Sequence, residues 1–285
     1  MVTNPNVKIN LGLNILRKRE DGFHDLETLF VPYFGINDTL EIVVGDDYSR
    51  TSAAIFGKYA PEMIAQGMSE DGKLMITIAR KDGVDWDPLK DLTAKAYQIL
   101  AEDFDMPSVK IFLEKTSPVG AGLGGGSADA AFALKMLNEL CSLELSEQQL
   151  ASYAARLGSD CAFFIYNRPM IGEGRGEVLT EIASDSVLTM TSEYDLQVLT
   201  PEGISVSTKD AYGGIRPHLP EVPLRDALKL PVDQWDGILV NDFEETVFAK
   251  YPELAAIKRS LYDSGAVYAS MSGSGSALFA LYKRG

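Results

Sequence analysis

Hydrophobic and polar residues alternate along the first part of the chain, and this alternation predicts a β-strand from Val7 to Arg17. One face of the strand carries only aliphatic side chains, whereas the other carries lysine, asparagine and glycine. We therefore expect a half-buried strand with a polar face suited to lining a site. An apolar segment follows at Leu26–Ile36, and further strands are predicted at Leu40–Val44, Arg50–Phe56, Lys73–Ala79 and Val109–Glu114.

Apolar residues spaced for one face of a helix predict helices at Leu89–Asp103, Ala128–Leu140, Glu147–Leu157 and Pro252–Ser264. Ser127 is placed to act as the N-cap of the second helix. Later strands are predicted at Val187–Met190, Leu196–Leu199, Val267–Ala269 and Ser276–Tyr282. Strands gathered early and helices late indicate an α+β first half. We place a domain boundary near residues 156–166, which divides the chain into residues 1–160 and 161–285.

The composition is that of a globular chain with enough apolar residues for a sizeable core. It has 285 residues, 46% of them hydrophobic and 24% charged, which predicts one large or two medium domains. The formal net charge of −15 argues against nucleic-acid binding, which needs clustered positive charge. No apolar run approaches the roughly 20 residues of a membrane span. Residues 1–18 lack the order of a signal peptide, so we expect a cytoplasmic protein without a membrane partner.

Cysteine and histidine are too scarce to indicate a structural metal. The chain has two cysteines, Cys141 and Cys161, and two histidines, His24 and His218. None has the spacing of a zinc site, and a reducing compartment argues against a disulfide. The oligomeric state expected from the sequence is a monomer or a weak homodimer.

The densest signal is a glycine-rich stretch in which five glycines fall within residues 120–126 and run into a predicted helix. Glycines let the backbone pass close to a ligand, and the first N–H groups of a helix attract negative charge. A mobile surface loop is the ordinary alternative, but phosphate is the ligand that the pattern favours. The candidate nucleotide-binding residues are Pro118, Val119, Gly120, Ala121, Gly122, Leu123, Gly124, Gly125, Gly126, Ser127 and Ala128.

Two familiar phosphate loops fit this stretch poorly. The nucleoside-triphosphatase P-loop needs a lysine where this chain has Gly126. The dinucleotide fingerprint matches the spacing of Gly120, Gly122 and Gly125, but its strand should run directly into the first glycine. Here the segment Glu114–Val119 intervenes, and no strand-ending acid follows about 20 residues later. An NAD-dependent oxidoreductase is therefore the alternative from another class, and binding of ATP without nicotinamide would reject it.

A third loop type fits better, because the stretch reads Pro-x-x-x-Gly-Leu-Gly-Gly-Gly-Ser-x-x-x-Ala from Pro118 to Ala131. It resembles the loop of the GHMP kinases, the superfamily of galactokinase, homoserine kinase and mevalonate kinase, where it holds the ATP phosphates. Two more motifs resemble that superfamily, Lys8-Ile9-Asn10-Leu11 and Met271–Ala277. The resemblance implies ATP as co-substrate with Mg²⁺. It also implies a two-domain α+β fold, with an N-terminal domain like ribosomal protein S5 domain 2 and a C-terminal α/β-sandwich.

Further motifs narrow the resemblance: Asp21–His24, Leu157–Asp160, Gly172–Glu177 and the triple glycine followed by Ser-Ala-Asp-Ala-Ala. Together they are similar to those GHMP kinases that phosphorylate the 2-hydroxyl of 4-diphosphocytidyl-2-C-methyl-D-erythritol. That reaction belongs to the non-mevalonate route to isoprenoid precursors. A GHMP kinase acting on mevalonate-type or sugar substrates stays open as an alternative, as does a binding protein without activity.

The resemblance also implies roles for individual residues in the reaction. Asp160 would accept the proton of the substrate hydroxyl, although a solvated loop acid is its ordinary role. Lys8 would stabilise charge on the hydroxyl or on the transferring phosphoryl group, and Asn10 would contact the substrate. Lys115 matches a position of the nucleotide pocket, with a surface lysine as the alternative. No metal ligand is implied by name.

Cytosine recognition is implied for Phe23, His24 and Tyr212. Aromatic faces can sandwich a base, and a histidine can pair with the polar edge of cytosine. The family generally has tyrosine where this chain has Phe23, a change that keeps stacking and removes a hydroxyl.

Overall fold

The computed structural model describes residues 1–45 and 47–285. Its strands are β1 (Val2–Thr3), β2 (Asn6–Lys18), β3 (His24–Asn37), β4 (Thr39–Val44), β5 (Ile64–Met68), β6 (Leu74–Arg80), β7 (Val109–Lys115), β8 (Met170–Gly174), β9 (Val178–Glu181), β10 (Tyr194–Leu199), β11 (Tyr268–Met271) and β12 (Leu278–Lys283). Its α-helices are α1 (Ser52–Lys58), α2 (Leu92–Ala101), α3 (Gly125–Leu140), α4 (Glu147–Leu157), α5 (Cys161–Tyr166), α6 (Asp185–Glu193), α7 (Thr208–Gly213), α8 (Leu224–Ala227), α9 (Phe243–Lys250) and α10 (Pro252–Asp263). Short 3₁₀ turns lie at Pro61–Met63, Pro88–Lys90 and Val232–Gln234.

The first of two compact units comprises Met1–Val7, Tyr33–Val119 and Gly124–Asn167. Its sheet has the strand order β1-β4-β7-β6-β5, and all pairs are antiparallel except β6 with β7. Helices α2, α3, α4 and α5 pack on one another, and α3 also contacts β4. Strand β7 ends at Lys115, and the four residues 116–119 separate it from the start of the glycine stretch at Gly120.

The second unit comprises Lys8–Pro32, Gly120–Leu123 and Arg168–Gly285. It contains the four-stranded sheet β2-β3-β8-β9 and the three-stranded sheet β10-β12-β11. An apolar cluster joins residues of β2, β11 and β12 to helices α7, α9 and α10: its buried members include Leu13, Ile15, Ala211, Phe243, Leu254, Met271 and Leu278. Each unit is made of three separate segments of the chain. The units therefore do not test the predicted domain division between residues 160 and 161, which stays a prediction.

Strand β2 departs from the expected half burial. Its polar residues Asn6, Lys8, Asn10 and Asn14 are as buried as its aliphatic ones. The prediction of a half-buried strand is wrong, because the polar side chains are buried in hydrogen bonds to the Gly122 carbonyl, to Thr28 and to Glu27. Buried polar groups of this kind must be satisfied internally.

Two predicted strands are helices. The segment Arg50–Phe56 lies mostly in α1, because the Glu41 carboxylate accepts hydrogen bonds from the N–H groups of Arg50 and Thr51 and turns the chain there. The segment Val187–Met190 lies in α6, which Ser184 caps through the Val187 N–H. Short apolar runs are compatible with either period, so pattern alone did not decide these two.

No helix among residues 1–45 and 47–285 is long and apolar enough to cross a membrane.

Candidate active site

The glycine stretch forms a loop in which Gly120, Gly122 and Gly124 have φ values of 72°, 77° and 72°. This left-handed region is costly for other residues. Gly124 is the N-cap of α3 and makes no side-chain capping bond. The helix thus begins at Gly125, three residues before the predicted start, and Ser127 lies in its first turn. The prediction of Ser127 as N-cap is wrong, because a left-handed glycine turns the chain earlier.

The N-terminal half of the loop, Gly120–Leu123, is held by backbone contacts within the second unit. The N–H of Lys8 donates to the Leu123 carbonyl at 2.9 Å, and the N–H of Ala277 donates to the Ala121 carbonyl at 3.1 Å. At Gly122, a Cβ atom would lie 2.2 Å from the carbonyl oxygen of Ser272. Only glycine fits this position.

Lys8 lies at the centre of this half with a buried side chain. Its Nζ donates to the Gly122 carbonyl at 2.9 Å and to Asn10 Oδ1 at 2.5 Å, and it lies 5.5 Å from the centre of the Phe30 ring. Asn10 in turn donates to Thr28 Oγ1 at 3.2 Å. The two predicted residues Lys8 and Asn10 are therefore brought together, and the lysine charge has a fixed position.

The C-terminal turn contributes residues that sequence reasoning assigned no role. Ser272 Oγ donates to the Gly122 carbonyl at 3.0 Å and accepts from the Asn10 N–H at 3.2 Å. Asn241 Nδ2 donates to the carbonyls of Met271 and Gly273 at 2.7 and 2.9 Å. The serine thus links β2 to the loop, and the asparagine holds the turn that carries the serine.

The C-terminal half of the loop, together with the end of β7, is held by three charged residues within the first unit. Lys115 Nζ donates to Asp38 Oδ2 at 2.7 Å and to Asp129 Oδ2 at 2.5 Å. Lys115 is 5% exposed and the two aspartates are each 1% exposed. The alternative of a surface lysine is wrong, and its role as a nucleotide ligand stays a prediction.

Burial and charge act against each other in this group. Burial alone would lower the pKa of Lys115, but the Asp129 and Asp38 carboxylates raise it. Burial would likewise raise the pKa of Asp38, and the Lys115 ammonium together with hydrogen bonds from Ser117 holds it below its usual range. Burial raises the pKa of Asp129 well above its ordinary value. Its Oδ1 has no hydrogen-bond partner among the described residues.

Asp38 also organises the chain just after β7. Its Oδ1 accepts from the N–H groups of Thr116 and Ser117 at 2.6 and 2.7 Å, and its Oδ2 accepts from Ser117 Oγ at 2.6 Å. A Cβ on Gly125 would lie 2.3 Å from Ser117 Oγ. The residues that enter and leave the loop are therefore in close contact.

Asp160 occupies the N-cap position of α5 with a partly exposed side chain. The next residue, Cys161, is buried, and helix α5 packs against α3. This packing places the segment that carries Asp160 beside the helix that follows the glycine loop. Burial raises the pKa of the Cys161 thiol to about 12, so it is no nucleophile at neutral pH.

The three predicted cytosine-binding residues are placed differently from one another. His24 stacks on Tyr212 with ring centres 4.9 Å apart, and Tyr212 meets Phe243 edge-on at 4.7 Å. Phe23 is 53% exposed and lies under the Arg175 guanidinium at 4.9 Å. Burial and the charge of Lys18 lower the pKa of His24, so the neutral imidazole offers one donor and one acceptor.

The remaining loop residues differ in exposure. Pro118 is partly buried and Val119 is exposed, whereas Ala121, Leu123 and Ala128 are buried. We therefore expect the buried members to shape the loop and the exposed backbone of Gly120 and Gly126 to face solvent or ligand. Their contacts with a nucleotide stay predictions.

Two of the three buried charged residues left a signal in the sequence. Lys115, already a candidate, continues the inward alternation of Val109, Ile111 and Leu113, so its burial could be read from β7. Asp129 lies among alanines on the buried side of α3, where a carboxylate needs a partner. Asp38 left none, because its hydrogen-bond partners Lys115, Thr116 and Ser117 are 77 to 79 positions away along the chain.

Outside the single position 46, no group of three or more His, Cys, Asp or Glu side chains is arranged to hold a metal ion. Mg²⁺ in nucleotide sites commonly takes one or two carboxylates together with phosphate oxygens and water, so a Mg²⁺ that arrives on the phosphates would need no such group.

Two family models match the chain. The model described as GHMP kinases N terminal domain matches residues 91–168, and the model described as GHMP kinases C terminal matches residues 229–285. The first range contains the glycine loop and Asp160, and the second contains the turn with Ser272. The predicted α+β fold of the GHMP kinases is confirmed.

Curated relatives named 4-diphosphocytidyl-2-C-methyl-D-erythritol kinase are similar over nearly the whole chain. The relative from Bacteroides fragilis is 43% identical over 282 residues, which cover 99% of this chain and 92% of the relative. The relative from Bacteroides thetaiotaomicron is 44% identical over 283 residues, with coverage of 99% and 92%.

Solved structures agree with these relatives. A crystal structure of 4-(cytidine 5'-diphospho)-2C-methyl-D-erythritol kinase matches with a TM-score of 0.73 at 30% identity, covering 99% of this chain and 90% of that one. A mevalonate kinase matches with a TM-score of 0.63 at 11% identity, covering 99% and 91%, which supports the fold alone. This chain belongs to the 4-diphosphocytidyl-2-C-methyl-D-erythritol kinase family of the GHMP kinases.

Proposed function

We propose that this protein transfers the γ-phosphoryl group of ATP to the 2-hydroxyl of 4-diphosphocytidyl-2-C-methyl-D-erythritol. The hydroxyl oxygen forms a bond to the γ-phosphorus while the bond from that phosphorus to the β,γ-bridging oxygen breaks. ADP leaves with the bridging oxygen, and the hydroxyl proton passes to a base. The observation that carries this proposal is the 43% identity to relatives of that name along 99% of the chain.

Phosphoryl transfer demands positioning and charge neutralisation more than covalent chemistry from the protein. The first N–H groups of α3 have no intrahelical partner and no side-chain cap, so they are suited to phosphate oxygens. This source of positive potential does not depend on the net charge of the chain, which is −15. A backbone site thus explains how so acidic a protein can bind a triphosphate.

Asp160 is the proposed base and Lys8 the proposed electrostatic stabiliser. Support for Asp160 comes from its partly exposed position at the N-cap of α5 and from the packing of that helix against α3. Support for Lys8 comes from its buried ammonium, which the carbonyl of Gly122 and the amide of Asn10 orient. A positioned charge of this kind requires no reorganisation as the reaction proceeds.

Cytosine recognition is proposed for the His24 and Tyr212 pair with Phe23. A neutral His24 can meet both a donor and an acceptor on the base edge, and the exposed Phe23 ring can stack on the base. Mg²⁺ is proposed to accompany ATP through its phosphate oxygens. A monomer or weak homodimer in the cytoplasm stays a prediction.

A coupled ADP-release assay tests the proposed reaction. We expect turnover with the diphosphocytidyl substrate and none of comparable rate with mevalonate or galactose. Faster turnover with either of the latter would reject the substrate assignment. Nicotinamide binding without ATP binding would reject the kinase altogether.

The base is tested by Asp160→Asn, for which we expect a fall in kcat of about 100-fold or more with ATP affinity unchanged. Asp105→Asn is the matched control, because the Asp105 side chain is 99% exposed. A near-normal kcat in Asp160→Asn would remove Asp160 as the base.

A further inference from the structure

We propose that Asp38, Lys115 and Asp129 form a buried clasp that holds the two ends of the glycine loop together. In this proposal the three act as positioning residues for the phosphate loop, and the prediction that Lys115 contacts the nucleotide directly is the alternative that the binding test below decides. The proposal rests on the proposed function, since it concerns the loop that would bind the phosphates.

The three residues come from segments next to the two ends of the loop. Asp38 lies between β3 and β4, Lys115 ends β7 just before the loop, and Asp129 lies in α3 just after it. One ammonium group contacts both carboxylates, at 2.7 and 2.5 Å. The loop between residues 118 and 124 is therefore closed at its base by an ionic bridge.

Asp38 is in turn linked to the start of α3 through Ser117. The oxygen atoms of Asp38 accept hydrogen bonds from the N–H groups of Thr116 and Ser117 and from the Ser117 hydroxyl. That hydroxyl lies where a Cβ on Gly125 would come within 2.3 Å of it. Because interiors are close-packed, a displacement of Asp38 or Ser117 is passed to the first residue of α3. The N–H groups that face the phosphates would then move.

Lys115 is buried in this contact. Its side chain is 4% exposed and its ammonium already contacts two carboxylates, which is the arrangement of an internal cross-link. Removing Lys115 would leave the buried Asp38 carboxylate without its cation, which is strongly destabilising locally. We therefore expect that weakening the clasp makes the position of the glycine loop less well defined.

The test compares nucleotide binding in Lys115→Met, Asp129→Asn and the double variant, measured by calorimetry with a non-hydrolysable ATP analogue and with adenosine. For each single variant we expect affinity for the ATP analogue to fall about tenfold, which is within the range for residues without ligand contact. Adenosine affinity should change less than twofold. The double variant should lose no more than the larger single loss, because both substitutions break one bridge.

The opposite pattern would overturn the proposal. Equal losses for adenosine and the ATP analogue, or losses that add in the double variant, would make Lys115 a direct ligand of the nucleoside. Lys73→Met is the matched control, because Lys73 forms an exposed pair with Asp105, and it should bind as the unaltered protein does.

Lys115→Met leaves two buried carboxylates and can fail to fold, so Ser117→Ala provides a second route. This variant keeps Asp38, Lys115 and Asp129 and removes only the Ser117 hydroxyl, which lies between Asp38 and Gly125. We expect ATP-analogue affinity to fall about threefold with adenosine unchanged; unaltered affinity would contradict the proposal. All of these measurements use the nucleotide alone, without the acceptor substrate. A failure to phosphorylate the diphosphocytidyl substrate would therefore contradict the proposed function without affecting the test of the clasp.

Discussion

The two halves of the glycine loop are held by different physics. The N-terminal half, Gly120–Leu123, lies against backbone carbonyls and neutral hydrogen-bonding groups, with Lys8 as its one contacting cation among the described residues. The C-terminal half begins α3, and Asp38, Lys115 and Asp129 tie it to the strand end before the loop. The conformation of the first half therefore depends on close steric fit, whereas that of the second half depends on the buried group of Asp38, Lys115 and Asp129.

The largest effect should come from Gly122→Ala. A methyl group there would meet the Ser272 carbonyl at 2.2 Å, and the backbone is left-handed in addition. We expect the free energy of unfolding to fall by about 3 kcal/mol or more, measured by denaturant titration.

Gly120→Ala is the control for the shape argument. Its φ is also positive, but nothing lies within 4 Å of its added methyl group. Strain alone should lower the free energy of unfolding by about 1 kcal/mol. Equal losses at the two glycines would show that shape does not limit this half.

The next effect is expected for Gly125→Ala in the second half. The new methyl group would displace the Ser117 hydroxyl from Asp38, and we expect a loss of about 2 kcal/mol. Gly126→Ala has open space and a helical backbone, so it should gain up to about 1 kcal/mol from helix propensity. Thermal unfolding of both variants checks the contrast, and a stabilised Gly125→Ala would contradict it.

A pH series on Asp129→Asn should give a smaller effect that separates the halves. Burial raises the pKa of Asp129, so the folded protein holds this proton more tightly than the unfolded chain does. The stability from the neutral form is complete below the ordinary value of 3.8 and is lost as pH rises through the raised pKa. Relative to the asparagine variant, the unaltered protein should therefore lose stability as pH rises from 4. A constant difference would contradict the raised pKa.

The smallest effect is expected for Ser272→Ala in the first half. Losing the bond to Gly122 and the acceptor of the Asn10 N–H should lower the free energy of unfolding by about 1 kcal/mol. No titratable group is removed, so this difference should stay constant over the pH range of the preceding experiment. A pH-dependent difference would mean that charge also governs the first half.

Local sequence predicted the elements whose signals are local. The alternation in β2 and the helical spacing of apolar residues in α4 were both readable, and the predicted strand and helix are confirmed. Local sequence did not predict helix α1, because its start depends on hydrogen bonds to Glu41 in strand β4. Local pattern is overridden where a distant side chain fixes the backbone.

The candidate site follows the same division. The glycine loop and Lys8 were identified from motifs, and their close contact through Gly122 is seen in the structure. Asp38 was not identified, because a single aspartate in a turn carries no sign that it meets Lys115 and Ser117. Its role depends on three segments folding together, which spacing along one segment does not reveal.

The uncapped start of α3 has a consequence for how the protein exchanges hydrogen with solvent. A glycine N-cap such as Gly124 stabilises the first turn by only about a few tenths of a kcal/mol less than a capping side chain does, but it leaves the first amides without a side-chain acceptor. The amides of Gly125, Gly126 and Ser127 should therefore exchange rapidly in the free protein and slow down when a phosphate accepts their hydrogens. The bound nucleotide would serve as the missing cap, and the first turn of α3 would report its arrival.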